Sequence, residues 1–168
     1  MTTNMTTLQQ QASRMTREAL EALFRAARHL PEDRWEWSPM GEARSVQTLL
    51  YECALTTPFY IAAAQGRMKE FASLMPDEAT QDVWRRRSEA AWTLDGAESV
   101  AQETFAELCQ ALEAVPDARL ADIQPHPMDP SRQATTADLL FLAYWNLVYH
   151  TGQINYLQTM LGDTTRRL

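Results

Sequence analysis

The sequence predicts an all-α fold, a four-helix bundle, on three observations. Apolar residues recur at three- and four-residue spacing over long stretches. Strict apolar–polar alternation is nearly absent, and only 5 glycines occur in 168 residues. These are marks of amphipathic helices rather than half-buried strands. The length suits one domain over residues 1–168, large enough to bury most of the surface its unfolded chain exposes.

The first helix is expected over residues 7–30, where Met15, Ala19, Ala22, Leu23 and Ala26 form a stripe that Pro31 ends. The connector PEDRWEWSPMGEAR follows, its two tryptophans expected to pack over the end of the bundle. Ser45 is a good N-cap for a second helix over residues 45–65, with Val46, Leu49, Leu50, Cys53, Thr57, Tyr60 and Ile61 inward. Pro58 should kink it without ending it, because the apolar rhythm continues beyond, and Gly66 can close it. A long irregular crossover over residues 66–95, with one short helix near 79–90, leads to a third helix over 97–114 ending at Pro116. The proline-rich IQPHPMDPSRQ reads as a loop. Thr135 or Thr136 then caps a last helix over 136–161 that Gly162 stops. The short links between helices 1 and 2 and between 3 and 4 favour antiparallel neighbours, and the long crossover permits helices 2 and 3 to run parallel.

Composition narrows the function classes. A net charge of −7 and a pI near 4.9 oppose phosphate backbones, and nucleic acid is not an expected partner. The cluster Arg85-Arg86-Arg87 points in three directions on a helix and reads as a solvated face. The longest apolar run, LLFLAYW, is far short of the roughly 20 residues of a membrane span. Cys53 and Cys109 lack CxxC spacing, and the polar N-terminus resembles neither a secretory nor a transit peptide. A cytoplasmic protein is the expectation.

Within the last helix, NLVYHTGQI places Asn146, His150 and Gln153 along an inward stripe with Leu139, Ala143 and Leu157. Burying an amide and an imidazole without partners costs about 1–3 kcal/mol per group, so something across the bundle should meet them. Glu52, at the edge of the second helix's apolar stripe, either reaches His150 or lies exposed. Gly152 costs roughly 1 kcal/mol against alanine in mid-helix, which suggests close approach of another backbone or a ligand. His29 and His126 are expected at the surface. Asn146 and His150, four apart, could share a metal, although a carboxamide is a weak ligand beside imidazole and carboxylate.

LPEDRWEWSP followed by ARSVQTLLYE, and the segment NLVYHTGQI, give the chain a family likeness. It resembles the DinB/YfiT-like superfamily of DNA-damage-inducible four-helix bundles, whose last-helix motif is HxxxHxGQ[IL]. The resemblance covers nearly the whole chain. It implies an up-down-down-up topology, a homodimer, and a divalent metal, zinc or nickel, held by three ligands. Those positions fall on Glu52, Asn146 and His150, of which only His150 is a histidine; Gly152 and Gln153 match the motif.

Two functions are then expected alternatives. One is a metal-dependent hydrolase or thiol-dependent transferase with an altered Glu52/Asn146/His150 site and no assigned catalytic residue. The other is a non-catalytic binding or structural bundle in which that site is a buried polar cluster, with a small organic ligand able to use the same pocket. A further expectation is metal-free catalysis with His150 as base and Glu52 orienting it, which requires solvent access.

Overall fold

The computed structural model describes residues 6–41, 43–68 and 78–165. They are mostly helical, with one small hairpin. Helix α1 spans Leu8–Ala27. Its start is a capping box: Thr7 Oγ1 accepts from the Gln10 backbone N–H at 3.2 Å, and Gln10 Oε1 accepts from the Thr7 N–H at 3.0 Å. It ends before the expected residue 30, in tighter turns that keep Leu30 buried. Trp35 and Trp37 of the following connector pack partly buried against the core.

The second expected helix is two helices, α2 over Val46–Leu55 and α3 over Thr57–Ala64. Ser45 caps α2, its Oγ accepting from the Thr48 N–H. Pro58 causes the break, falling in the first turn of α3, where a missing N–H leaves no intrahelical bond unmade. The Ala54 carbonyl, which a donor at position 58 would otherwise serve, accepts instead from Thr104 Oγ1 at 3.1 Å. Thr104 is fully buried. Thr104→Val keeps the shape and orphans that carbonyl, so a loss of about 1–3 kcal/mol is expected, read as a lower urea midpoint at unchanged m-value.

Helix α4, Glu78–Ala90, lies where the short crossover helix was expected; residues 69–77 of the crossover fall outside the described residues. Arg85 and Arg86 pair with Asp82, Arg85 also pairs with Glu89, and Arg87 bridges to Glu103 and Glu107. Helix α5, Leu94–Glu113, starts three residues before the expected 97. Thr93 caps it by accepting from the Gly96 N–H. Gly96 is required there, since a Cβ would lie 1.8 Å from the Ala90 carbonyl oxygen.

The proline-rich stretch is a hairpin rather than a loop. Strand β1, Ile123–His126, pairs antiparallel with β2, Asp129–Thr135, with Ile123 opposite Thr135 and an irregularity at Pro125/His126. The last expected helix is also divided, into α6, Thr136–Leu139, and α7, Leu142–Met160. A Thr135–Asp138 capping box opens α6.

One hydrophobic core is built from α1, α2, α3, α5 and α7, with Leu23, Leu49, Phe105, Leu108, Leu112, Leu147 and Ile154 fully enclosed. Helix α1 packs on α7 and α5, and α2 packs chiefly on α5 and also on α7. The pairs joined by the shorter links, α1 with α2 and α5 with α7, are not the principal neighbours expected from link length. Gln158 Nε2 donates to the Ala26 carbonyl at 2.7 Å and ties the end of α7 to α1. No described helix is long and apolar enough to cross a membrane.

Candidate functional site

The α2–α7 contact brings Glu52, Asn146 and His150 together. His150 is buried, 2% exposed, because its position on α7 follows Ala143 and Leu147 into the core. Burial requires partners for both ring nitrogens. Nδ1 lies 2.6 Å from Gln153 Oε1; Nε2 lies 3.0 Å from Asn146 Nδ2 and 3.3 Å from Glu52 Oε1. Of the two expected placements for Glu52, the structure has the inward one, with a third of the side chain still exposed.

These contacts define the tautomer. An amide oxygen can only accept, so Nδ1 carries a proton and Gln153 sets the ring orientation. Nε2 then meets a donor, the Asn146 amide, and an acceptor, the Glu52 carboxylate. As a neutral imidazole it accepts from Asn146, and as an imidazolium it donates to Glu52. Asn146 is held in turn by Cys53, whose Sγ–H points to Asn146 Oδ1 at 3.9 Å.

Two participants were missed by sequence reasoning. Arg44, in the connector before the Ser45 cap, places its guanidinium Nη2 on Glu52 Oε2 and also donates to the Thr48 carbonyl. The available signal was an arginine beside an N-cap with a carboxylate two turns further on. Cys53 was counted as core and is fully buried. Burial, aided by the adjacent Glu52 charge, pushes its thiol far up from its ordinary range, so it is not a ready nucleophile. His29 is exposed, and His126 lies half-buried on β1, both away from the cluster.

Beside the cluster an open cleft of about 750 Å³ runs between α7 and the connector residues Pro39, Met40, Ala43 and Arg44, walled also by Leu49, Tyr149, Gln153 and Tyr156. Gly152 opens onto it. A Cβ there would meet nothing within 4 Å, so no part of the described chain makes the close approach expected at this glycine.

The donor set does not fit a transition metal. Nε2 is already met by the Asn146 N–H, the carboxamide is a neutral weak ligand, and the Arg44 charge sits on the one carboxylate. Among the described residues no group of three or more His, Cys, Asp or Glu side chains is placed to hold an ion.

The fold and cluster define a helical protein with a histidine-centred polar site between two of its core helices. The chain belongs to the DinB family, whose model matches residues 1–167. Neither a comparison with curated proteins nor one with solved structures yields a match.

Proposed function

We propose that this chain is a non-catalytic binding bundle of the DinB family, in which the Arg44 guanidinium on Glu52 supplies the positive charge that a metal would bring to the expected site. The rods α1, α2–α3, α5 and α7 support reading it as a four-helix bundle in up-down-down-up order. The observation that carries the functional reading is Arg44 seated on Glu52 Oε2. An arginine is always charged and matches a carboxylate in geometry, so it supplies the positive charge opposite Glu52 without a bound ion. The remaining cluster is satisfied as it stands: every polar atom of His150 has a partner. A catalytic metal site, by contrast, keeps a coordination position open for water or substrate.

Metal-free catalysis by His150 is disfavoured by its 2% exposure, which keeps the ring from direct contact with solvent. The metal-dependent reading retains one supporting observation, the convergence of Glu52 and His150 to 3.3 Å. Calorimetric titration of the full chain with zinc and with nickel separates the two. No saturable binding at micromolar ion is expected; one ion per chain, lost in His150→Ala, would establish the metal site instead.

A further inference from the structure

The cleft beside α7 differs in composition from the surface around it. Helix α1 shows Arg14, Arg17 and Glu18 outward, and α4 and α5 are laced by ion pairs. Among the described residues that line the cleft, Arg44 alone is charged, and the walls are otherwise largely apolar or aromatic. Met40 is 74% exposed, Tyr149 63% and Tyr156 66%, so three large side chains are left to water around one concavity. Single exposed apolar residues need no explanation. Grouped around a cleft of about 750 Å³ beside a few polar groups, they have the make-up of a small-molecule site.

Two features specify what the cleft takes. The first is its shape. Tyr149 stands three residues before Gly152 and Tyr156 four after it, so all three share one face of α7, with the glycine as a notch between two phenol rings. A Cβ at Gly152 would meet nothing within 4 Å, so packing within the described chain does not require glycine there, and alanine would suit the helix better. What the glycine provides is room for a flat ring, which the flanking tyrosines meet by stacked or edge contacts and the Met40 thioether meets from the connector side.

The second feature is the guanidinium. Arg44 Nη2 serves both Glu52 Oε2 and the Thr48 carbonyl. An arginine carries five N–H donors, and the Nε–H and both Nη1–H groups of Arg44 have no partner among the described residues. Unused donors on a half-exposed cation favour an anionic acceptor, because a charge-assisted hydrogen bond is roughly twice as strong as a neutral one. A cationic ligand would find no carboxylate on the described walls, since Glu52 is engaged by Arg44 and His150 behind them.

We infer that the cleft binds a small aromatic carboxylate, its ring over Gly152 between Tyr149 and Tyr156 and its carboxylate accepting from Arg44. The polar cluster holds the wall in place: Gln153 Oε1 accepts from His150 Nδ1 while Gln153 Nε2 donates to the Tyr149 hydroxyl at 3.3 Å. The inference rests on the binding-bundle reading and gives that reading its ligand class.

Calorimetric titration of the full chain in EDTA near neutral pH tests it, comparing 1-naphthaleneacetate with its uncharged isostere 1-naphthaleneacetamide. Both should bind one to one, the carboxylate about tenfold tighter. Arg44→Met should bring the carboxylate down to the affinity of the amide and leave the amide unchanged, which shows the cleft intact. Arg17→Met, at an exposed arginine paired with Glu113, should leave the preference as it is. Gly152→Leu fills the notch; it should retain the helical circular dichroism, because its side chain enters open space, and bind neither probe. No saturable carboxylate binding at roughly millimolar probe, equal affinity of the native chain for the two probes, a preference that survives Arg44→Met, or undiminished binding by Gly152→Leu would each overturn the inference and leave the metal-free bundle standing. Carboxylate binding that appears only after zinc is added would overturn both.

Discussion

Installing histidines at two positions and removing the guanidinium, in the variant R44M/E52H/N146H, is expected to raise zinc affinity about a thousandfold over the native chain, or roughly 4 kcal/mol. The reason is geometric. Positions 146 and 150 are one turn apart on α7 and project the same way, and the side chain at position 52 already reaches them, Glu52 Oε1 lying 3.3 Å from His150 Nε2. Three neutral imidazoles are a good zinc set, with a fourth position left for water. Retaining Arg44 in E52H/N146H should blunt the gain, because the guanidinium then has no carboxylate and repels the ion. Calorimetry on the two variants and the native chain measures this. Equal affinity in all three would mean that the scaffold does not converge these positions on one point.

The second large effect is on stability. His150→Ala should cost about 2–4 kcal/mol in urea unfolding, because it empties a closed site in the core and strips Asn146 and Gln153 of their shared partner. Glu52→Gln should cost under about 1 kcal/mol. Its side chain is a third exposed, the Arg44 pair is water-screened, and an amide still meets the ring nitrogen. A small His150→Ala effect beside a large Glu52→Gln effect would place the weight of the cluster on the ion pair rather than on the imidazole.

Much of the architecture is legible from local chemistry. The stripe from Val46 to Tyr60 is buried as its spacing requires, and Ser45 and Thr135 cap the helices they precede. What was not legible has physical causes. Pro125, Pro127 and Pro130 disguise the hairpin, because prolines that cannot donate to a ladder read as loop, yet a two-stranded ribbon has edges that tolerate them. The break at Leu140–Phe141 is silent because apolar spacing continues across it. The early start of α5 was masked by Gly96, which reads as a breaker but is needed for close approach to Ala90.

The site shows the same division. Asn146, His150 and Gln153 follow from helical periodicity, whereas Glu52, at the edge of its stripe, is left open by periodicity and placed inward only by the α2–α7 packing. Arg44 does not follow, since it belongs to a connector whose side-chain directions no periodicity sets, and it is the residue that changes the chemistry. Gly152, where a mid-helix glycine suggests close approach beside His150, has instead open space within 4 Å of a would-be Cβ among the described residues, on the cleft side of α7.

The central claim is that Arg44 takes the place of a metal opposite Glu52. Anomalous diffraction from crystals of the full chain grown with excess zinc tests it most directly. The prediction is an Arg44 guanidinium on Glu52 and no anomalous peak at His150 Nε2. A peak about 2.0–2.1 Å from that nitrogen, with Arg44 turned away, would contradict it.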